Sequence, residues 1–206
     1  MRFLHLFMTV AMVFVTGTGA SCIAAKPVEP RVRIDHFKGA VLDAARLLFR
    51  EHNVPVSIVE ATRDPGIELN RVDDAPVELL RKMAKLSGVY RFETIDGHLI
   101  LYPDDPSFES LVDDVRIKDE KRELAMVHLL EHFRTHAPSL PTILGPLKTI
   151  AGTEPEFWSA PVTLKSNDTV IRLLTQLLGP DQKLFFVVSK YNNLSLMMTL
   201  GSVDHD

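Results

Sequence analysis

Residues 66–103 constrain the fold of this chain more than any other stretch. Their sequence is GIELNRVDDAPVELLRKMAKLSGVYRFETIDGHLILYP, which predicts a strand at 67–70, then a helix, then a hairpin. Asp73 or Asp74 is a candidate helix cap, because a carboxylate accepts the unpaired amides of a first turn. Gly88 follows the apolar stripe where a left-handed residue ends a helix. Asp96-Gly97 between two apolar runs predicts a tight turn.

A similar succession returns in residues 162–200. Asn167-Asp168 would cap a second helix, and Gly179 followed by Pro180 would end it. The runs 184–190 and 194–200 would form a second hairpin, because Asn192-Asn193 tolerates the positive φ of a turn. Identities between the two stretches are few and one gap is needed. The pattern favours an internal repeat, with chance similarity as the alternative.

The remaining segments complete the predicted architecture. A strand at 31–35, a helix with an apolar face and a buried strand at 54–60 precede the first stretch. A strand at 111–117 and a helix ending near Pro138 precede the second. We therefore predict an α+β fold of two tandem small modules, each a short mixed sheet with two packed helices. Each would run strand-helix-strand-strand-helix-hairpin. They span 26–103 and 111–206, with a linker at 104–110 and a loop inserted at 137–160.

The N-terminal residues predict export. Arg2 and His5 precede an apolar run at 6–15, and small residues follow it. This is the pattern of a secretory signal peptide covering residues 1–25, and its apolar run is too short to be a transmembrane helix. We expect a periplasmic protein, with outer-membrane association left open. Gly19 three residues before Cys22 disfavours a lipid anchor at that cysteine, because lipoprotein signals usually carry an aliphatic residue there.

Composition excludes some classes of function. The formal net charge is −4, so the chain has no excess of basic residues that would bind the phosphates of a nucleic acid. The single cysteine, Cys22, excludes a disulfide within one chain. No Gly-x-Ser-x-Gly element and no glycine-rich phosphate loop is present.

Residues 31–103 resemble a known domain. The N-terminal short domain (STN) of secretins and TonB-dependent receptors has a similar pattern, at Leu42 to Ala45, Asn53 to Val56, Leu69, the pair Leu79-Leu80, and Leu86 to Tyr90. Residues 111–200 resemble it more loosely. The resemblance implies a periplasmic domain without catalysis that binds envelope proteins at the front of larger outer-membrane assemblies. No barrel follows in this chain, so we expect a detached adaptor without a cofactor.

The helix after residue 118 offers a rival hypothesis. His128 and His132 are four residues apart and could hold one Zn²⁺, while Glu131 could polarise a bound water. His136 adds a histidine one turn later. However, Ala125, Met126, Leu129, Leu130 and Phe133 cluster on one side of the predicted helix, which leaves the histidines on a polar face without shielding walls. This face would be a metal-binding or metallohydrolase site, or simply a solvated surface.

Two aromatic residues in the inserted loop are candidates for partner contact. Phe157 and Trp158 precede the repeated strand, and tryptophan is enriched among residues that dominate binding energy at interfaces. The alternative, which we favour, is that the loop packs its aromatics onto the core. The sequence as a whole predicts a non-catalytic, secreted binding protein.

Overall fold

The computed structural model describes residues 30–136, 158–164, 167–191 and 195–203. The predicted α+β class is confirmed. These residues form eleven strands and four α-helices: β1 (Val32–Ala40), α1 (Val41–Glu51), β2 (Val56–Val59), β3 (Gly66–Asp74), α2 (Pro76–Ser87), β4 (Tyr90–Ile95), β5 (His98–Pro103), β6 (Leu111–Val112), β7 (Ile117–Lys121), α3 (Arg122–His136), β8 (Pro161–Leu164), β9 (Asp168–Thr169), α4 (Val170–Gln176), β10 (Leu184–Tyr191) and β11 (Ser195–Ser202).

A five-stranded sheet in the order β11-β10-β2-β5-β4 forms the centre of the molecule. Its inner pairs, β10–β2 and β2–β5, are parallel, and its outer pairs are antiparallel hairpins. Three two-stranded pairs accompany it, namely β1–β3, β6–β9 and β7–β8. The division into two tandem modules with separate sheets is not confirmed, because the hairpin of the second half extends the sheet of the first.

Apolar cores cover both faces of this sheet. Side chains of α1, α2, β1 and β3 form the core on one face, and side chains of α3 and α4 form the core on the other. Strand β10 contributes to both because successive side chains of a strand point to opposite faces. Phe185 and Val187 join the α1–α2 core, whereas Phe186 and Val188 join the α3–α4 core. Both cores therefore depend on the same strand.

The predicted helix stop at Gly88 and the first hairpin turn are confirmed. Gly88 is the C-cap of α2 with a φ angle of 67°, in the left-handed region where glycine carries no Cβ penalty. Gly179 also has a positive φ, 71°, but α4 ends at Gln176 with Leu177 as its C-cap, so Gly179 lies in the turn that follows the helix and does not itself end it. Asp96 and Gly97 both have positive φ, 51° and 88°, as a two-residue turn between β4 and β5 requires.

The predicted helix caps are wrong in both halves. Helix α2 begins after Ala75, which has no side-chain capping bond, because β3 continues to Asp74 and commits both aspartates to its pairing with β1. Asp73 instead forms an ion pair with Arg31. In the second half Asp168 lies in β9, and the Thr169 side chain accepts the first-turn amide of α4.

Two other stretches differ from their predicted structure. Phe108, inside the predicted linker, is 1% exposed in a short 3-10 helix, with its ring centroid 6.1 Å from that of Tyr102. Residues 118–121, expected in a helix, belong to β7 because they pair with β8 through a bulge. Side-chain burial explains the first difference and long-range pairing the second, and neither is visible in local periodicity.

Candidate functional site

A groove between β7 and α3 contains two of the predicted metal ligands. Its volume is about 660 Å³, and its lining consists of β7 with the residues before it and two histidines of α3: Asp114, Val115, Arg116, Ile117, Lys118, Asp119, Glu120, His128 and His132. Glu120 Oε2 lies 3.0 Å from His128 Nδ1. The pairing of β7 with β8 and the packing of α3 thus bring a carboxylate to the histidine face.

The other predicted ligands do not join this groove. Glu131 is exposed and absent from the lining, and the side chain of His136 lies outside the described residues. Across the described ranges, no three histidine, cysteine, aspartate or glutamate side chains are grouped so that they could hold a metal ion. The buried side of α3 is as expected, since Ala125, Met126, Leu129 and Leu130 all pack into a core.

Zinc titration tests this face directly. We expect no stoichiometric binding of Zn²⁺, because no three histidine, cysteine, aspartate or glutamate side chains of the described residues are grouped to hold a metal ion, and Glu120 is already bonded to His128. Calorimetry of the protein and of a His128→Ala/His132→Ala variant is the measurement. A one-to-one, submicromolar site that disappears in the variant would instead establish the metal hypothesis.

Trp158 packs against the α3–α4 core and is partly buried there. This packing agrees with the core-packing alternative, and the role of Trp158 as a partner anchor stays a prediction. Phe157 lies outside the described residues, so its predicted contact stays a prediction.

A partly buried polar cluster between α1 and β4 was not predicted. Asp64 Oδ2 accepts a hydrogen bond of 2.9 Å from the Leu42 amide at the start of α1. The Tyr90 hydroxyl donates to Asp64 Oδ1 at 3.0 Å and accepts from the Ala61 amide at 2.9 Å. Burial raises the pKa of the Asp64 carboxyl, against the opposing effect of its hydrogen bonds. Ala40 cannot cap α1, so a residue more than twenty positions later in the chain does so.

A second unpredicted cluster surrounds the end of α4. Arg122 Nε donates to the Leu177 carbonyl and His98 Nε2 donates to the Gly179 carbonyl, both at 2.8 Å. Donors at this position satisfy carbonyls that a helix end leaves unpaired. Burial lowers the pKa of Arg122. These contacts tie α4 to α3 and to β5.

The two outer strands of the central sheet are the remaining candidates for recognition. Among the described residues, β4 and β11 each pair with one neighbour only. The Val188 carbonyl of β10 accepts a hydrogen bond from the Glu60 amide beside β2. The backbone N–H and C=O groups of the even-numbered residues of β10 therefore point to β2, and those of the odd-numbered residues point to β11. In the register of the β10–β11 hairpin, Leu196, Met198 and Leu200 then direct their backbone groups to the open side.

Comparison with known proteins found no match. Neither a protein-family model, nor a curated protein, nor a solved structure matches the chain. None of the helices within the described ranges has the length and apolar character needed to cross a membrane.

Proposed function

We propose that this protein is a non-catalytic adaptor of the bacterial cell envelope, exported to the periplasm by a cleaved signal peptide. It binds a secretin-type or receptor-type protein by accepting a strand of that partner at the edge of its central sheet. The observation that carries the proposal is the open edge of β11, where a row of backbone donors and acceptors has no neighbour among the described residues. Such an edge is a template for strand addition.

The order of elements in the first half supports the resemblance to the STN domain. The resemblance implies strand-helix-strand-strand-helix-hairpin, and the chain runs β1-α1-β2-β3-α2-β4-β5. In the second half, β7, α3, β8, β9, α4 and the β10–β11 hairpin follow a similar order. We infer that the halves are two copies of one unit whose hairpins share a sheet.

The groove at His128 supports a second candidate, a metal-binding protein or zinc hydrolase. Its favourable observation is the pairing of Glu120 with His128 in the groove between β7 and α3, beside His132. The adaptor is preferred because, among the described residues, the donors of the groove are not grouped so that three of them could hold one metal ion, as a catalytic zinc site needs.

Affinity purification from the native envelope, followed by mass spectrometry, tests the adaptor. The backbone test uses Met198→Pro, which removes an outward N–H, compared with Met198→Ala, which keeps it. We expect the wild type and the alanine variant to recover the same envelope protein in similar amounts. The proline variant should recover at least tenfold less of that protein. Recovery of no partner would refute the adaptor, and equal recovery by the proline variant would refute binding at β11. Circular dichroism verifies that both variants are folded.

A further inference from the structure

The opposite edge of the sheet, formed by β4, has a definite backbone polarity. The two-residue turn at Asp96-Gly97 makes Ile95 and His98 a hydrogen-bonded pair. Hydrogen-bonded and non-hydrogen-bonded pairs alternate in an antiparallel ladder. The backbone N–H and C=O groups of Arg91 and Glu93 therefore point to β5, whereas those of Phe92 and Thr94 point outward. Within the described ranges, no other strand pairs with this side of β4. The Tyr90 amide, also outward, is already bonded to the Ser87 hydroxyl at 3.2 Å.

The side chains of β4 are complementary to a second copy of themselves. Arg91 and Glu93 lie two residues apart and both are exposed, so they share one face of the strand with opposite charges. Within one copy Arg91 already forms ion pairs with Asp104 and Glu109, and Glu93 accepts a hydrogen bond from the Tyr102 hydroxyl. A second copy would therefore add its charges to these pairs rather than meet unpaired side chains. We propose that two copies of the protein form a dimer by antiparallel pairing of their β4 strands, with Phe92 opposite Phe92 of the second copy. Arg91 of each copy then lies directly opposite Glu93 of the other.

Charge selects this register over its neighbours. Only residues whose backbone groups point outward can form hydrogen bonds across the edge, so one β4 strand can slide along the other only by steps that keep Phe92 and Thr94 bonded. A slide of one step in one direction places Glu93 opposite Glu93 of the other copy. A slide of one step in the other direction places Arg91 opposite Arg91. Like charges directly opposite are destabilising, and opposite charges are favourable. Only the register centred on Phe92 has two attractive pairs and no repulsive one.

The same register satisfies the open backbone groups. Phe92 of each copy would exchange two hydrogen bonds with its counterpart, and each Thr94 amide would reach the Tyr90 carbonyl of the other copy. Val89, which is 38% exposed, would come opposite Ile95 of the second copy. The two five-stranded sheets would become one continuous ten-stranded sheet, with a β11 edge at each end. This dimer is therefore compatible with the proposed adaptor and does not rest on it.

Charge exchange tests the proposal. Arg91→Glu and Glu93→Arg each replace two attractive pairs with two repulsive ones, and we expect each to weaken the dimer about tenfold to thirtyfold. Analytical ultracentrifugation over a concentration series measures this. An equal mixture of the two variants restores every opposite-charge pair, so it should form heterodimers as tight as the wild-type dimer. Two singly weakened variants that recover on mixing cannot be explained by loss of folding.

A backbone variant provides an independent test. Thr94→Pro removes an outward N–H without removing a bond to β5, whereas Thr94→Ala keeps that N–H. We expect the proline variant to be monomeric and the alanine variant to dimerise as the wild type does. The proposal is overturned if the wild-type protein is monomeric up to about 1 mM. It is equally overturned if a wild-type dimer persists unchanged in Thr94→Pro and in both charge variants.

Discussion

Replacing Phe185 with alanine is expected to lower the free energy of unfolding by about 4 kcal/mol. The Phe185 side chain is 1% exposed, and its ring stacks on that of Phe49 in α1 with centroids 4.5 Å apart. The loss combines the transfer free energy of a buried ring with a cavity between the two halves of the chain. Chemical denaturation followed by circular dichroism measures it.

The shape of the transition is as informative as its midpoint. Because β10 contributes side chains to both cores, we expect one cooperative transition that shifts as a whole. Leu124→Ala is the control, since Leu124 is 48% exposed on α3 and its truncation should change stability by about 0.5 kcal/mol or less. Two separate transitions, of which Phe185→Ala shifts only one, would show instead that the halves unfold independently.

Replacing Asp64 with alanine is expected to lower the free energy of unfolding by about 2–3 kcal/mol. The change removes the acceptor of the Leu42 amide at the start of α1 and the acceptor of the Tyr90 hydroxyl. Both donors lie in a partly buried setting, where an unmade hydrogen bond carries its full desolvation cost. Asp64→Asn, which keeps an oxygen for Leu42, should cost less than half as much. Equal losses in the two variants would contradict this explanation.

The same carboxyl makes stability depend on pH in a definite direction. Burial raises the pKa of Asp64 above its usual value of 3.8, so the folded protein holds this proton more tightly than the unfolded chain does. Its contribution to stability is therefore greatest below pH 3.8 and decreases as pH rises through the raised pKa. Asp64→Asn does not titrate. The wild-type free energy of unfolding minus that of Asp64→Asn should accordingly fall across this acid range, and a rise would refute the assignment.

Local signals in the sequence predicted local structure well. The turn at Asp96-Gly97 and the helix stop at Gly88 depend on backbone conformations that few residues tolerate, so they could be found from residue type alone. The aspartates before α2 were misassigned because Asp73 and Asp74 suit a helix cap as well as a strand end. Only the pairing of β3 with β1, tens of residues away, decides between those uses.

The assembly of the sheet could not be predicted for the same reason. The pattern of β10 predicts a buried strand but does not indicate which strand lies beside it. The same holds for the functional candidates, since Glu120 approaches His128 only after β7 pairs with β8. Asp64 caps a helix that ends before it, so no motif spacing connects the two. Helix periodicity places His128 and His132 on one face of α3, and both line the groove. It gives no indication that Glu120 lies beside them.

The parallel contact between β2 and β10 also sets the order of events during folding. The Phe186 amide donates to the Ser57 hydroxyl at 3.1 Å across 129 positions of sequence. A growing chain cannot make this contact until nearly all of it has been synthesised. The conformational entropy of closing so long a loop is lost before the contact can stabilise the sheet. During synthesis the β10 side of β2 is therefore unpaired until β10 joins the sheet. Loss of the final twenty or so residues would therefore arrest folding of the entire sheet rather than trim its edge.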